Sequence, residues 1–427
     1  MSSASAMSVD VAVVGAGPAG IAAALAAAGS ARDVALIDDN PNPGGQIWRE
    51  GVRSQNSRDA AMWFERLAKS RVRVMGCARV IHAERSELQI ETDDAISPLR
   101  FEKLILATGA RELFLPFPGW TLPNVVGAGG LQALVKSGLD VTKKRIVVAG
   151  TGPLLLAVAA YLSAHGAEVV CICEQASISA LTSFAGTMLR FPTKLSEAIK
   201  LRLASRKAGY LTNAWPVAAI GSGRIEAVRI FDNGRLREIP CDYLACGFHL
   251  VPNTELAQLL GCQLDDGFVA TDEYQRTSLP NLYCAGEPTG IGGMELSVLE
   301  GRIAGYAATN KRDEASRLFA DRARYRKLAS AMQRAFRIRP ELKHLPAEDT
   351  FVCRCEDVTL SRIRKHTSWK AAKLHTRCGM GPCQGRICGP AAQFLFGWRI
   401  APSRPPVFPA RCSSLAALSS QVHGGSR

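Results

Sequence analysis

No C-x-x-C pair occurs among the 13 cysteines of this 427-residue chain. That argues against dithiol–disulfide exchange, which needs an attacking and a resolving thiol close together. Acidic residues are in short supply, 38 against 52 Lys and Arg, for a formal net charge of +14. Basicity of that size invites nucleic acid, yet no nucleic-acid motif accompanies it, so none is expected as a partner. No apolar run has the length and purity of a transmembrane helix. The opening MSSASAMS lacks a basic stretch leading into an apolar one, so no signal peptide is expected. The expectation is a cytoplasmic protein, peripheral to the inner membrane only through partners. The seven histidines are scattered, and no motif singles out a catalytic base, so the catalytic residues stay unassigned. Thirteen cysteines in a cytosolic chain point to free thiols and metal ligation rather than disulfides.

What is present is organised around residues 9–48, VDVAVVGAGPAGIAAALAAAGSARDVALIDDNPNPGGQIW. Val11 to Val14 is short and apolar enough for a buried parallel strand. Gly15, Gly17 and Gly20 follow in G-x-G-x-x-G spacing, and an alanine run then reads as a helix. Gly15 permits the tight turn, Gly17 admits a pyrophosphate to the backbone, and Gly20 lets helix pack on strand. The helix start offers N–H groups and a positive dipole end to phosphate. A second strand, Val34 to Ile37, ends on Asp38, placed to accept from a ribose hydroxyl. Pro43 to Ile47 is a turn whose two glycines let backbone approach a flavin or its ribityl chain.

Residues 51–70 read as a helix, then Val72–Val80, Leu88–Thr92 and Phe101–Leu106 as a strand meander. Ala107-Thr108-Gly109 is a small turn beside the nucleotide. A partial repeat follows. Arg145–Ala149 is a strand, Gly150-Thr151-Gly152-Pro153-Leu154-Leu155 a loop, and a strand from Val169 ends on Glu174. The carboxylate suits an unphosphorylated ribose. Leu155 stands where the third glycine belongs, so a working NAD or ATP site and a structural remnant both stay open. Ile225–Ile239, with an Asn233-Gly234 hairpin turn, is a second meander ending at Ala245-Cys246-Gly247. Cys171 and Cys173 are expected on opposite faces of a strand; with Cys77, Cys241, Cys246, Cys262 and Cys284 they read as buried small apolar residues.

LPNLYCAGE, ending at Gly286-Glu287, returns to the first unit, and Gly290, Gly292 and Gly293 precede a helix start. GAGPAG, ATGA, GTGPLL and LPNLYCAGE in this order resemble the two-dinucleotide-domain flavoprotein reductases. The resemblance implies an α/β fold with two Rossmann-like dinucleotide-binding domains of the glutathione-reductase type. It implies FAD held by Gly15, Gly17, Pro18, Ala19, Gly20, Asp38, Asp39, Gly45, Gln46, Thr108, Gly109, Gly286 and Glu287. It implies a pyridine-nucleotide position at Gly150, Gly152 and Glu174.

Lys311 to Lys343 is a basic helical connector with an exposed basic face, either solvated or a docking surface for an acidic partner or electron carrier. Beyond it lie Cys353, Cys355, Cys383 and Cys388 in C-x-C-x27-C-x4-C spacing, with Cys378 besides. Four thiolates suit zinc or an iron–sulfur cluster, and C-x-C fits zinc less well. The glycines around them bring backbone N–H groups to sulfur, and Arg354, Arg377 and Arg386 offset thiolate charge. Residues 351–398 resemble the bacterioferritin-associated ferredoxins, which favours a [2Fe–2S] cluster on Cys353, Cys355, Cys383 and Cys388.

The whole arrangement, with GFHLVPNTELAQLLGC, CRCEDV and CGMGPCQGRIC, resembles the alpha subunits of bacterial amine-oxidising dehydrogenase complexes of the D-hydroxyproline dehydrogenase, opine oxidase and hydrogen cyanide synthase type. That implies an amino-acid-oxidase-like beta subunit, a small ferredoxin-like subunit, and FMN shared with a partner. It implies relay of electrons from a secondary amine or amino acid to an acceptor. A stand-alone NAD(P)H-dependent FAD oxidoreductase and a zinc-stabilised assembly protein are the alternatives. The expected division is an FAD domain over 1–122 and 266–310, a second nucleotide domain over 123–265, the connector over 311–350, the [2Fe–2S] module over 351–400, and a disordered tail over 401–427, rich in Pro, Ser and Ala.

Overall fold

A computed structural model of the chain describes residues 7–30, 33–49, 58–400 and 404–424. The chain divides into two compact units. The first comprises Met1–Arg111, Pro252–Ala329 and Pro402–Arg427; the second comprises Glu112–Val251 and Ser330–Ala401. The crossings thus fall about a dozen residues before the expected 122/123 and 265/266 boundaries. Packing explains the shift: Leu113, Leu115 and Phe117 are buried in the second unit's core, whereas Leu256 and Ala257 are buried in the first's.

The first unit is built on a seven-stranded sheet. Its parallel centre is Arg73–Met75, Val34–Ile37, Met7–Val14, Ile96–Leu106 and Leu282–Cys284. The antiparallel pair Arg79–Ala83 and Glu87–Glu91 extends Ile96–Leu106 outward. Strands covered on both faces must be apolar throughout, and Val34–Ile37 is buried at every residue. The expected strand Val72–Val80 is broken, because the chain turns at Gly76–Ala78 against residues 40 and 41. A side chain at Gly76 would meet the Pro41 oxygen at 2.6 Å, and Cys77 takes φ +51° to make the turn. Cys77 is consequently exposed rather than buried. Of the helix expected over 51–70, Arg58–Ala68 is present and residues 51–57 lie outside the described set.

The alanine-rich helix Pro18–Ala28 is almost wholly buried, and it packs on the helix Met294–Ala308. Small residues bring the two backbones together: side chains at Gly301 and Gly305 would strike the carbonyls of Ala19 and Ala23 at 2.1 and 2.2 Å. This crossing seats the segment from Gly286 onward against the phosphate loop. The tail expectation is corrected where the chain is described. Val407 donates to the Ile81 carbonyl at 2.8 Å, is 2% exposed, and joins the first unit's core. The Arg411 N–H donates to Glu91, and Cys412–Gly424 is helical. An apolar Val beside a strand edge that offers a carbonyl overrides a Pro- and Ser-rich composition.

The second unit holds a parallel five-stranded sheet in the order Gly209–Thr212, Glu168–Glu174, Arg145–Gly150, Tyr243–Gly247, Val125–Gly127. A separate antiparallel meander of Ala214–Ile220, Ala227–Asp232 and Arg235–Pro240 turns at Asn233 and Gly234, with φ +49° and +88°. Two successive positive φ values make the turn that Asn-Gly favours. The expectation of opposite faces for Cys171 and Cys173 is corrected. They share one core with their sulfurs 3.5 Å apart, since residues two apart on a strand line the same face.

The cysteine-rich module, from the hairpin Phe351–Cys353 and Val358–Thr359 to the helix Cys388–Phe396, belongs to the second unit. Leu342 is buried in that unit's core, and Ile387 and Phe394 pack against it. The Trp120 indole donates to the Phe351 carbonyl at 2.6 Å. Trp120→Phe keeps ring packing and loses this bond, so stability should fall by about 1 kcal/mol. Denaturant unfolding checks it, and an unchanged midpoint would show that the bond holds nothing.

Candidate flavin cradle and thiol centre

The phosphate loop is held open on one side and closed on the other. Gly15 takes φ +102°, and a side chain there would lie 2.3 Å from the Ala107 oxygen. One at Gly20 would lie 1.7 Å from the Gly15 oxygen. At Gly17 the nearest atom is the Gly45 Cα, 4.0 Å away. Gly45 itself has φ +59° and would strike the Gly17 Cα at 2.9 Å. Pro18 and Ala19 are buried behind the loop, while Gln46 is exposed. The Asp38 carboxylate accepts from the Ala16 N–H at 2.5 Å and from both nitrogens of Asn40 at 2.8 and 2.7 Å. It therefore ties the loop to the strand end and remains half-buried beside it; Asp39 points outward.

Thr108 and Gly109 are braced by Asn253, a residue to which no motif assigns a role. The Thr108 hydroxyl donates to the Asn253 carbonyl at 2.5 Å, and the Asn253 side-chain nitrogen donates to the Thr108 carbonyl at 2.9 Å. The Asn253 N–H donates to the Gly109 carbonyl at 2.9 Å, and Arg111 donates to the Asn253 oxygen at 2.6 Å. The only signal in the sequence is an Asn after a Pro, which is generic for turns.

Gly286 takes φ +80° with the Ala19 side chain against it, and Glu287 follows. One Glu287 oxygen accepts from the Gly293 N–H at 3.1 Å. The other is buried with no hydrogen-bond partner among the described residues. Burial raises its carboxyl to about 7, against the lowering effect of the Gly293 and Gly292 N–H groups. A buried acceptor without a donor is costly, and a cofactor hydroxyl would satisfy it. Together with the open face at Gly17 and Gly45, this atom makes the site fit a flavin dinucleotide.

Behind Gly286 lies a network that no motif announces. Glu300, 2% exposed, accepts from the Gly286 N–H at 3.2 Å and the Thr289 hydroxyl at 2.8 Å. Its other oxygen accepts from Arg326 at 2.9 Å, and Arg326 also reaches Gln275. Arg322 is 6% exposed and donates to the Glu273 carbonyl. Of the expected exposed basic face, Arg324, Lys327 and Arg334 lie on the surface, Arg326 is exposed yet reaches Glu300, and Arg322 is buried; the last two anchor the connector helix Phe319–Ala335.

The repeat unit buries its acid more deeply. Glu174 is 0% exposed. Its oxygens accept from the Thr151 hydroxyl at 2.7 Å, the Gly152 N–H at 2.8 Å and the Ala176 N–H at 2.9 Å, and burial raises its carboxyl. Gly150, at φ +144°, makes the loop turn against the Gly247 carbonyl. Asp38 also bonds its own loop, so what sets Glu174 apart is burial: it is fully enclosed, with the Thr151 hydroxyl as a further donor, where Asp38 stays half-buried.

In the last module the sulfurs of Cys353, Cys378 and Cys388 all lie within 4.8 Å of one another and are buried. Cys383 is half-buried against Cys388 and Cys355, and Cys355 is exposed. The Cys378 and Cys388 thiols and the Gly379 and Glu356 N–H groups converge on Cys353 and bring it down to about 2. The Cys388 thiol and the Ile387 and Gly385 N–H groups bring Cys383 down to about 5. Their donors are raised in turn, Cys378 to about 12 and Cys388 further, chiefly by Cys353. These contacts favour thiolate, the form that binds metal, at Cys353 and Cys383. Close approach needs the glycines: side chains at Gly379 and Gly381 would strike Trp369 at 2.6 Å and the Cys355 Cβ at 2.4 Å. The arginines contribute less than expected. Arg377 is turned onto Glu356 at 2.7 Å, and Arg386 onto the Cys383 carbonyl and Gln384. Spacing alone leaves Cys378 apart from the other four; the fold places it at the heart of the centre.

Among the described residues no helix is long and apolar enough to cross a membrane. Residues 9–304 match the pyridine nucleotide-disulphide oxidoreductase family. The chain is 32% identical over 424 residues to the HcnB component of hydrogen cyanide synthase from Pseudomonas protegens, covering 90% of each. It is 31% identical over 463 residues to an opine oxidase subunit of Rhizobium meliloti, covering 96% of this chain and 87% of the relative. The L-proline dehydrogenase of P. horikoshii is similar in fold, with a TM-score of 0.68 at 20% identity, over 97% of this chain and 81% of that one. The T. acidophilum thioredoxin reductase is similar at 0.55 and 22%, over 74% and 98%.

Proposed function

This chain belongs to the pyridine nucleotide-disulphide oxidoreductase family, and from that premise we propose that it is the electron-relaying subunit of a flavin-dependent amine dehydrogenase complex, with a [2Fe–2S] cluster in its thiol centre. It is a flavin-dependent oxidoreductase with an FAD-binding domain. One observation carries the finer reading: three buried thiols meet within 4.8 Å, with Cys383 against Cys388 and surroundings that favour thiolate at Cys353 and Cys383, in a chain whose first dinucleotide loop is open and which has no C-x-x-C pair.

Gly17 and Gly45 admit the pyrophosphate, Asp38 and Asp39 border the ribose, and Thr108 and Gly109 bound the site, with Pro18, Ala19 and Gln46 lining the loop. Gly286 and Glu287 close on the ribityl side. Cys353, Cys355, Cys383 and Cys388 ligate the cluster, with Cys378 beside them. Bound FAD would accept an electron pair, and the cluster would pass electrons on singly. The relatives' names mark them as parts of larger complexes, which supports partners for this chain. We assign substrate oxidation to an amino-acid-oxidase-like beta subunit that takes a secondary amine or amino acid of the D-hydroxyproline or opine type. A small ferredoxin-like subunit and a shared FMN complete the scheme.

Anaerobic co-purification with the neighbouring-gene product, followed by iron, sulfide and EPR measurement and by amine addition, tests it. Expected are about two irons and two sulfides per chain and bleaching by an amine. The buried Cys353–Cys378–Cys388 trio also suits zinc, and zinc without sulfide would replace this reading by the assembly-protein one.

Glu287 supplies a pH test. Its folded pKa of about 7 lies above the unfolded 4.5, so the folded chain holds a proton that the unfolded chain loses. Stability of the FAD-free protein should therefore fall as pH rises from 4.5 to 7 and level off above, by order 3 kcal/mol in all. A cofactor hydroxyl donating to the carboxylate reverses the preference, so FAD should bind more tightly about one pH unit above that pKa than one unit below it. Glu287→Gln should flatten both profiles, which thermal melts and flavin titrations read; profiles unchanged by the variant would remove Glu287 from the site.

A further inference from the structure

The second unit keeps a dinucleotide-type sheet, and open sheets of this type bind ligands beyond the carboxyl ends of their strands. In this chain that place is filled. The strand Glu168–Glu174 runs straight into Gln175, which is fully buried. Gln175 donates to the Arg337 carbonyl at 3.1 Å and accepts from the Arg339 N–H at 3.1 Å. The side-chain amide of a strand-end residue thus reads the backbone of a passing segment as a neighbouring strand would. Arg339 spreads its guanidinium over Trp215 at 5.1 Å and donates to Asn213. Phe336, 7% exposed, packs edge-on against Phe184 at 5.2 Å. Its ring stands 4.0 Å from where a Gly152 side chain would begin, over the glycine meant for pyrophosphate.

The phosphate-binding N–H groups are committed as well. Glu174 holds the Gly152 N–H, as described above. Glu112 accepts from the Gly129 and Gly130 N–H groups at 2.8 and 2.9 Å, at the start of the helix Ala128–Lys136. Both places where a helix dipole would attract phosphate carry the chain's own carboxylates. Leu155, 1% exposed, fills the third-glycine position, 3.1 Å from where a Gly247 side chain would begin.

We infer that the nucleotide crevice of the second unit is a seat for this chain's own segment Phe336–Leu342, and that NAD, NADP and ATP do not bind there. The duplicated unit has exchanged a diffusible ligand for a covalently attached one. What the seat holds is the lead-in to the thiol centre, since Leu342 continues into the core and Phe351 begins the cysteine hairpin. The inference does not depend on which metal the thiols carry.

The test is hydrogen exchange with mass spectrometry on the FAD-loaded full chain, with and without NADH, NADPH or ATP at ~1 mM, at the upper end of typical KM values. Exchange at 150–155 and 336–342 should be the same in all four samples. Protection of 150–155, or release of 336–342, by any nucleotide overturns the inference. In the doubly substituted Phe336→Ala, Arg339→Ala chain, exchange at 150–155 and 174–176 should rise at least tenfold, while the first unit's loop at 15–20 stays as it was. Unchanged exchange at 150–155 also overturns it. Should the double variant not fold, the nucleotide arm on the unaltered chain still decides. Flavin and metal content, measured on the same samples, report separately on the proposed relay function.

Discussion

Serine at Cys383 is expected to strip the iron from the chain, from about two atoms to near none. The sulfur there is held as thiolate by the Cys388 thiol and two backbone N–H groups. A hydroxyl at that position keeps its proton and offers a hard donor where a soft one is needed. Cys353→Ser should do the same, since the Cys378 and Cys388 thiols and the Gly379 and Glu356 N–H groups converge on that sulfur. Cys378→Ser is the discriminating variant. Its thiol is fully buried and lies in the trio, yet the C-x-C-x27-C-x4-C spacing leaves it outside the four proposed ligands. It should keep most of its iron and shift the visible spectrum or the reduction potential. Iron and sulfide analysis, absorption and EPR on anaerobic samples read all three. Full iron in Cys383→Ser with loss in Cys378→Ser would reassign the fourth ligand to Cys378.

FAD binding should collapse in Gly20→Ala and only weaken in Gly17→Ala. The first substitution sets a methyl 1.7 Å from the Gly15 oxygen, a distance no relaxation of that oxygen alone can relieve. The helix must move off the strand and take its N–H groups with it. Overpacking of this kind costs about 1–3 kcal/mol in stability, and flavin affinity should drop at least a hundredfold. At Gly17 the added methyl finds its nearest neighbour at 4.0 Å, so the apoprotein folds unchanged. It loses only the space into which a pyrophosphate would come, for a tenfold or greater loss of affinity, about 1.4 kcal/mol. Flavin fluorescence titration of the apoproteins, with melting curves alongside, separates the two effects. Unaltered binding in Gly17→Ala would place the pyrophosphate elsewhere.

Local patterns were legible where a residue type has one physical use. The three loop glycines, the buried run Val34–Ile37 and the Asn233-Gly234 turn all behave as their chemistry requires. The cysteine spacing pointed to one centre, and Cys353, Cys378 and Cys388 gather there, with Cys383 against Cys388. Partners distant in the chain were not legible. Nothing in GFHLVPNTELAQLLGC marks Asn253 as the brace of a turn some 145 residues earlier, because an Asn is useful in many places. The basic connector misled for the same reason: composition counts charges without saying which of them meet a buried Glu300.

The order of glycines, carboxylates and cysteines along the chain decided the class of fold, the likeness of its two halves and the presence of a sulfur site, since each rests on contacts between residues near in sequence. Tertiary structure alone decided which half stays open. The two loops differ by Thr151 for Ala16, Leu154 for Ala19 and Leu155 for the third glycine, with a Glu in place of an Asp beyond them, and no one of these changes closes a crevice unaided. Closure comes from Phe336 and Arg339, more than 160 residues beyond Glu174 in the chain and brought to it only when the core around Leu342 forms. Burial is a property of the assembled neighbourhood, so Asp38 stays half-buried at its strand end while its repeat, Glu174, is sealed inside.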